Sequence, residues 1–329
     1  MPYLLIILSV CAACLMIALY TYRICFHVTR HQKEKGGSAP TGEQYDALQE
    51  ALQRSHEFMK SAQYESVSIA SFDGTKLFGR YYENQKGAPL VILFHGYRSA
   101  ALRDCVGGYY IAGMLKMNVL AVDHRAHGNS EGHVISFGIL ERKDCLAWAE
   151  YAANRFGDVP IVLSGLSMGA ATVLMASELP LPKQVAGIMA DCPYSSPKEI
   201  IKKVCADEKY PVNLSYPFIW LGALLFGHFN LTQADALRAV AHTRVPILLI
   251  HGEDDRFVPC SMSERIFAQK PDKITFYVFP KAGHGLSYLM DNSRYQQCVV
   301  KFLHSLPPFS DYIQRNNWGH ELLNRYIST

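Results

Sequence analysis

Short apolar runs of strand length recur along this chain, and helix-like stretches fill the gaps between them. That alternation constrains the fold more than any other feature. The runs are residues 90–94 (LVILF), 119–122 (VLAV), 160–164 (PIVLS), 185–190 (VAGIMA), 246–250 (PILLI) and 274–279 (ITFYVF). Continuous apolar runs, rather than alternating ones, belong to strands buried on both faces, as in parallel sheets. Helix-prone stretches at 101–117, 138–156, 168–178, 261–268 and 293–306 separate them. This succession implies right-handed crossovers and a mostly parallel, doubly wound α/β sheet with helices on both faces. Ahead of it, residues 64–70 and 76–82 alternate about Asp73-Gly74, the pattern of a β-hairpin.

The N-terminus reads differently. Residues 3–22 (YLLIILSVCAACLMIALYTY) carry no formal charge. As a helix they reach roughly 30 Å, the thickness of a bilayer's hydrocarbon core. Tyr3, Tyr20 and Tyr22 mark its ends as interfacial aromatics do, and Arg23, Arg30, Lys33 and Lys35 follow. A cleaved signal peptide would want basic residues before the run and a small-x-small site after it. Neither is present, so residues 1–23 are expected to be an uncleaved single-pass anchor. The basic flank then places the catalytic domain on the cytoplasmic side. Residues 24–42, rich in polar residues, Gly, Ser and Pro, read as a tether. Residues 43–61 read as a surface helix that opens a domain of residues 43–309, and 310–329 as a C-terminal tail.

Charge and cysteines exclude some classes. The 32 basic and 29 acidic residues give a net charge of only +3, which argues against a nucleic-acid binder. The nine cysteines are scattered, with no paired Cys-x-x-Cys at zinc spacing. They read as small buried hydrophobes in a reducing compartment, with no disulfide framework. No metal and no cofactor is expected. The sequence does not address the oligomeric state.

The chemistry concentrates at three places. Gly165-Leu166-Ser167-Met168-Gly169 stands between an apolar strand and a helix-prone stretch. A serine on so sharp a strand-to-helix turn is exposed at the strand end, and the helix N-terminus favours developing negative charge. A hydroxyl needs a base to take its proton. Of thirteen histidines, His284 is the one flanked by glycines after the last strand. The base needs a carboxylate to fix its tautomer, and Glu253, Asp254 and Asp255 follow the strand at 246–250. The order serine, acid, histidine fits a serine hydrolase. Oxyanion donors are expected at the Met168 N–H and, in the loop after residues 90–94, at the Tyr97 N–H. His95 in that loop reads as structural.

Together these residues resemble the α/β-hydrolase superfamily over roughly residues 64–306. The likeness is nearest to small bacterial serine hydrolases of the esterase, lysophospholipase and serine aminopeptidase groups. It rests on His95-Gly96-Tyr97, residues 165–169, His251-Gly252 through Asp255 to Val258-Pro259, and Gly283-His284-Gly285. The family pattern His-Gly-x-x-Asp-x-x-Val-Pro implies Asp255 as the acid. Residues 123–130 (DHRAHGNS) resemble a structural loop of the family, with Ala126 where glycine is usual. His124 and His127 are three apart, but no acid or cysteine accompanies them at metal spacing.

The expected function is hydrolysis of carboxylic esters or thioesters with an apolar acyl group, through a Ser167–His284–Asp255 triad and an acyl-enzyme. A serine peptidase is the alternative, and a non-catalytic binding protein a third reading. Residues 192–243, with an aromatic-rich stretch at 216–231 (YPFIWLGALLFGHFNL), lack a clear strand and read as a helical cap. Its apolar residues suit either ordinary packing or a role as an acyl pocket or bilayer-touching surface.

Overall fold

The apolar runs become strands in the computed structural model, which describes residues 2–35, 45 and 49–315. β1 (Glu65–Ala70) and β2 (Lys76–Tyr82) form the expected hairpin. β3 (Leu90–Phe94), β4 (Asn118–Asp123), β5 (Ile161–Leu166), β6 (Val185–Asp191), β7 (Ile247–Gly252) and β8 (Ile274–Phe279) follow. The described residues form one eight-stranded sheet in the order β1-β2-β4-β3-β5-β6-β7-β8. β2 runs antiparallel to both its neighbours, and all the remaining pairings are parallel. Parallel strands need crossover connections, which is why helices cover both faces.

Alternate residues of each strand enter two cores. Ile92, Phe94, Leu163 and Ile188 pack with α6 (Glu141–Phe156) and α7 (Met168–Ala176). Val91, Leu93, Val162 and Leu248 pack with α5 (Val106–Met114) and α13 (Asn292–Ser305). Phe309 of α14 (Pro307–Arg315) closes the lower end of this second core. The stretch expected as one helix at 101–117 divides at Cys105 into α4 (Ala101–Asp104) and α5, because Cys105 leaves helical geometry at ψ 0°.

The N-terminal segment departs from the expected anchor-plus-tether. α1 (Pro2–Cys25) is long and apolar enough to cross a membrane. Its end, however, belongs to the domain. Phe26 is fully buried against Phe137 and Phe229. His27 forms an antiparallel bridge with Val134, and main-chain bonds join Val28 to His133 and Ile135 to Phe26. A tether beginning at residue 24 is therefore corrected for residues 24–28: residues 24 and 25 end α1, and the Phe26 and Val28 side chains are buried in the domain. Residues 30–35 form a short helix, α2 (Arg30–Lys35), and the rest of the expected tether, apart from Tyr45, lies outside the described residues. α3 (Gln49–Ser61) occupies most of the surface helix expected at 43–61. Residues 310–315 of the expected tail lie in α14, and 316–329 lie outside the description.

The segment between β6 and β7 is helical, as expected: α8 (Pro197–Asp207), α9 (Val212–Leu225) and α10 (Ala236–Ala241). Ser196 caps α8 by accepting the Glu199 N–H. α9 packs along the last turns of α1. A Cβ on Gly222 would collide with the Ala18 carbonyl, and Thr21 donates to the Phe218 carbonyl at 3.1 Å. Close backbone approach over small residues is how helices pack inside membranes.

Candidate active site

β5 ends at Leu166, and the chain turns at Ser167 into α7 (φ 54°, ψ −114°). A non-glycine residue in this region is strained, and the surroundings hold it there. The Ser167 N–H donates to the Asp191 carbonyl at 2.9 Å, and the Ser167 carbonyl accepts from Ala171 at 2.9 Å. Both flanking glycines are steric necessities. A Cβ on Gly165 would strike the Gly169 backbone, and one on Gly169 would strike the Phe94 carbonyl.

The structure brings Ser167, His284 and Asp255 together although 117 and 29 residues separate them pairwise in the chain. His284 Nε2 is 2.9 Å from Ser167 Oγ, and His284 Nδ1 is 2.7 Å from Asp255 Oδ2. Of the three acids after β7, Glu253 and Asp254 are exposed and Asp255 is buried. Burial would raise the Asp255 carboxyl, but hydrogen bonds with His251 and His284, with the Val258 N–H, lower it to about 2. Its Oδ1 accepts from the Phe257 and Val258 amides at 2.9 and 2.8 Å. His251 lies 3.2 Å from Asp255 Oδ2, with its ring nitrogens also facing the Val258 carbonyl and the Ser263 hydroxyl. The Phe257 ring stands edge-on to His284 at 5.1 Å.

Met168 follows the serine directly, and Tyr97 borders the cavity at Ser167. The Met168 N–H is the first of α7 and so has no intrahelical acceptor. Gly96 lies so close that a Cβ there would be 3.5 Å from the Ser167 Cβ. The loop after β3 is held on several sides. The Gly96 N–H donates to Asp104 at 2.8 Å and the Arg98 N–H to His127 Nε2 at 3.0 Å. The Tyr97 hydroxyl donates to the Cys25 carbonyl at 2.8 Å, and the Arg98 guanidinium to the Ile24 carbonyl at 2.6 Å. Cationic donors on the last carbonyls of a helix are favourable contacts. His95 Nε2 accepts the His124 N–H at 3.0 Å, and its Nδ1 faces the Gly96 carbonyl. Burial pushes both His95 and His127 down to about 3, so each stays neutral and serves as a backbone latch.

Sequence reasoning gave no site role to Asp191, Cys192 and Asp104, and placed His251 in a motif without its contact to Asp255. Asp191 ends β6, near enough to His251 and His284 for their charge to act on its carboxyl. Burial pushes its carboxyl up to about 6, Tyr295 hydrogen-bonds it, and among the described residues its Oδ1 has no hydrogen-bond partner. Its signal was its place at the end of a predicted strand. Cys192 adds a thiol beside Asp255 and His284, with potential ligand atoms within 4.8 Å of one another. The thiol is fully buried, which raises its pKa well above the usual range, and the carboxylate is already engaged. That is poor chemistry for a metal site, since a cysteine ligand must lose its proton.

A cavity of about 420 Å3 opens at Ser167, bordered by Gly96, Tyr97, Phe257 and His284. Tyr45 stands at its mouth and donates to the His284 carbonyl at 3.2 Å. Among the described residues, none of 192–243 lines it. The cap aromatics pack elsewhere: Phe226 lies 6.0 Å from Tyr22 and Phe229 5.2 Å from Phe26, ring to ring. An acyl pocket built from the cap is corrected accordingly, because those rings are spent on α1 and the core.

A parallel sheet with a strained serine elbow after β5 and a histidine after β8 defines the α/β-hydrolase fold. The chain belongs to the alpha/beta hydrolase family, whose model matches residues 91–297. The uncharacterised protein YqkD of Bacillus subtilis (strain 168) is 27% identical over 194 residues, 58% of this chain and 64% of that protein. The match thus spans a little under two thirds of that relative's length. Mouse (Mus musculus) monoglyceride lipase is 38% identical over 121 residues, covering 34% of this chain and 38% of the lipase. Among solved structures, the Pyrococcus furiosus esterase Pf2001 superposes with a TM-score of 0.61 at 23% identity. It covers 82% of this chain and 99% of its own.

Proposed function

We propose that this chain is a serine hydrolase of carboxylic esters or thioesters with apolar acyl groups, attached to a membrane by α1 with its catalytic domain on the cytoplasmic side. The continuous contact from Ser167 Oγ through His284 to Asp255 carries the reading. His284 takes the Ser167 proton as Oγ attacks the acyl carbonyl. The Met168 and Tyr97 amides hold the resulting oxyanion. His284 returns the proton to the departing alcohol or thiol, and the acyl group stays on Ser167. Water, deprotonated by His284, then releases the acid. Asp255, ionised down to about pH 2, stabilises the imidazolium that forms twice in the cycle.

Kinship with a lipase supports an ester substrate. A peptidase would want a carboxylate in the cavity to grip a peptide amino terminus. Among the described residues, Asp104 and Asp191 border it. Asp104 is engaged by the Gly96 N–H and Arg103, and Asp191 is buried and hydrogen-bonded to Tyr295. An uncleaved α1 is supported by the packing of Ala18, Tyr22 and Phe26 into the domain.

Ser167→Ala is expected to abolish fluorophosphonate labelling and to cut p-nitrophenyl ester turnover by roughly five to six orders of magnitude. Labelling that persists in the variant would remove Ser167 from the mechanism.

A further inference from the structure

The cavity does not end at the nucleophile. It continues between the sheet and the helices α5 and α13, on the face opposite α7. Its floor is built from the strand register. Leu166 pairs with Asp191 nearest the serine, and the next row is Leu93, Ser164 and Met189. Val91 marks the far end, one further row down beside Val162. From Leu166 to Val162 is four residues, so the trough runs about 13 Å along the strands.

Ser164 explains why the space is open. It lies in mid-strand with paired strands on both sides, a position where a helix-covered sheet carries a large apolar side chain. Here the side chain is small, and both Ser164 and Met189 are part-exposed. Across the gap α5 presents Ala112, while Gly107 and Gly108 let Tyr288 and Leu93 pack against its backbone. The small Ser164 side chain leaves a volume that Ile111, Leu115, Val299 and Leu303 wall with hydrocarbon. Asp191 and Tyr295, bonded to each other, are polar groups near its upper end.

We propose that this trough is the acyl-chain site: the ester carbonyl sits at Ser167, the chain runs down β5 between α5 and α13, and the alcohol or thiol part remains at the open mouth by Tyr45 and Phe257. The proposal rests on the serine-hydrolase reading above and assigns the acyl specificity to the sheet side of the domain, away from the cap. A narrow trough walled by hydrocarbon suits an extended unbranched chain. The charged groups that border the cavity lie at its serine end: Asp104 is bonded to the Gly96 N–H and Arg103, and Asp191 stands in the Leu166 row.

The test uses the full-length protein in detergent and p-nitrophenyl esters from acetate to dodecanoate. Ser164→Leu fills the trough and is expected to lower the decanoate-to-acetate ratio of kcat/KM at least about tenfold, since excluding methylenes from an apolar pocket costs that much or more. Met189→Ala opens it and is expected to move the preferred chain length upward. Labelling of Ser167 by a small fluorophosphonate checks that each variant is folded. A variant that labels but keeps the wild-type chain-length profile overturns the trough and leaves the serine-hydrolase reading intact. Wild-type protein that neither labels nor turns over any ester overturns both.

Discussion

At the scale of single residues, the acid is the most informative choice. Three acids stand in a row after β7, and hydrophobic pattern alone does not choose among them. The fold does: Glu253 and Asp254 point to solvent, while Asp255 receives two backbone N–H groups and meets His284 at 2.7 Å. Asp255→Asn keeps the shape but removes the charge and favours the wrong histidine tautomer. It is expected to lower kcat by something on the order of ten-thousandfold. Glu253→Gln and Asp254→Asn are expected to leave ester turnover near wild type; a large loss in either would move the acid. Ser167, His284 and the loop at Tyr97 were legible in the sequence because each sits at a strand end marked by local glycines. Asp191 was not, because nothing local tells a strand-end aspartate near a histidine from one facing water. His251 was legible as part of a motif but not as a neighbour of Asp255, since that contact depends on how residues 252–258 fold back.

At the scale of elements, strands and helices were legible wherever a run of apolar residues met a glycine or proline, and the elbow most of all. Gly169→Ala places a methyl group against the Phe94 carbonyl, a main-chain atom in the middle of the sheet that has nowhere to move. It is expected to destabilise the protein by roughly 3 kcal/mol or more, read as a drop in the urea midpoint. What pattern did not reveal is the role of the end of α1. Phe26 and Val28 show no period, and their partners lie at residues 133–137 and 229, far along the chain. Their contacts reach the active site, because the carbonyls of Ile24 and Cys25 hold Arg98 and Tyr97. A chain starting at residue 18 keeps this latch, whereas one starting at residue 29 loses both the latch and the buried Phe26 side chain. The first is expected to retain ester turnover. The second is expected to lose most of it, with a stability loss of about 3–5 kcal/mol or more, the cost of deleting one large buried aromatic. Equal activity in the two truncations would show that the oxyanion loop stands without α1.

At the scale of the whole molecule, α1 and the cap form one surface. If residues 3–22 span the hydrocarbon, the contact of Gly222 with Ala18 lies inside the final turns of the span, at roughly 1.5 Å per residue. α9 must then sit at the depth of the bilayer's edge. It carries no charge, and it exposes Leu214, Leu224 and Leu225. Apolar side chains exposed at that depth gain by entering the boundary between headgroups and acyl chains, with a binding strength that grows with the apolar area buried. The chain starting at residue 18 separates the two contributions, since it lacks the exposed length of α1 and keeps α9 docked. It is expected to float with liposomes yet to be released by alkaline carbonate, as a peripheral protein is, while the full-length chain resists carbonate. Replacing Leu214, Leu224 and Leu225 together by serine in the shortened chain is expected to leave it in the soluble fraction. If the shortened chain with its leucines intact already stays soluble, α1 alone holds the protein at the membrane and the cap faces water. The trough inferred for the acyl chain lies on the far side of the sheet from α7 and apart from α9. An acyl chain leaving the bilayer beside the cap would then have to pass the mouth at Tyr45 and Phe257 before turning down along β5.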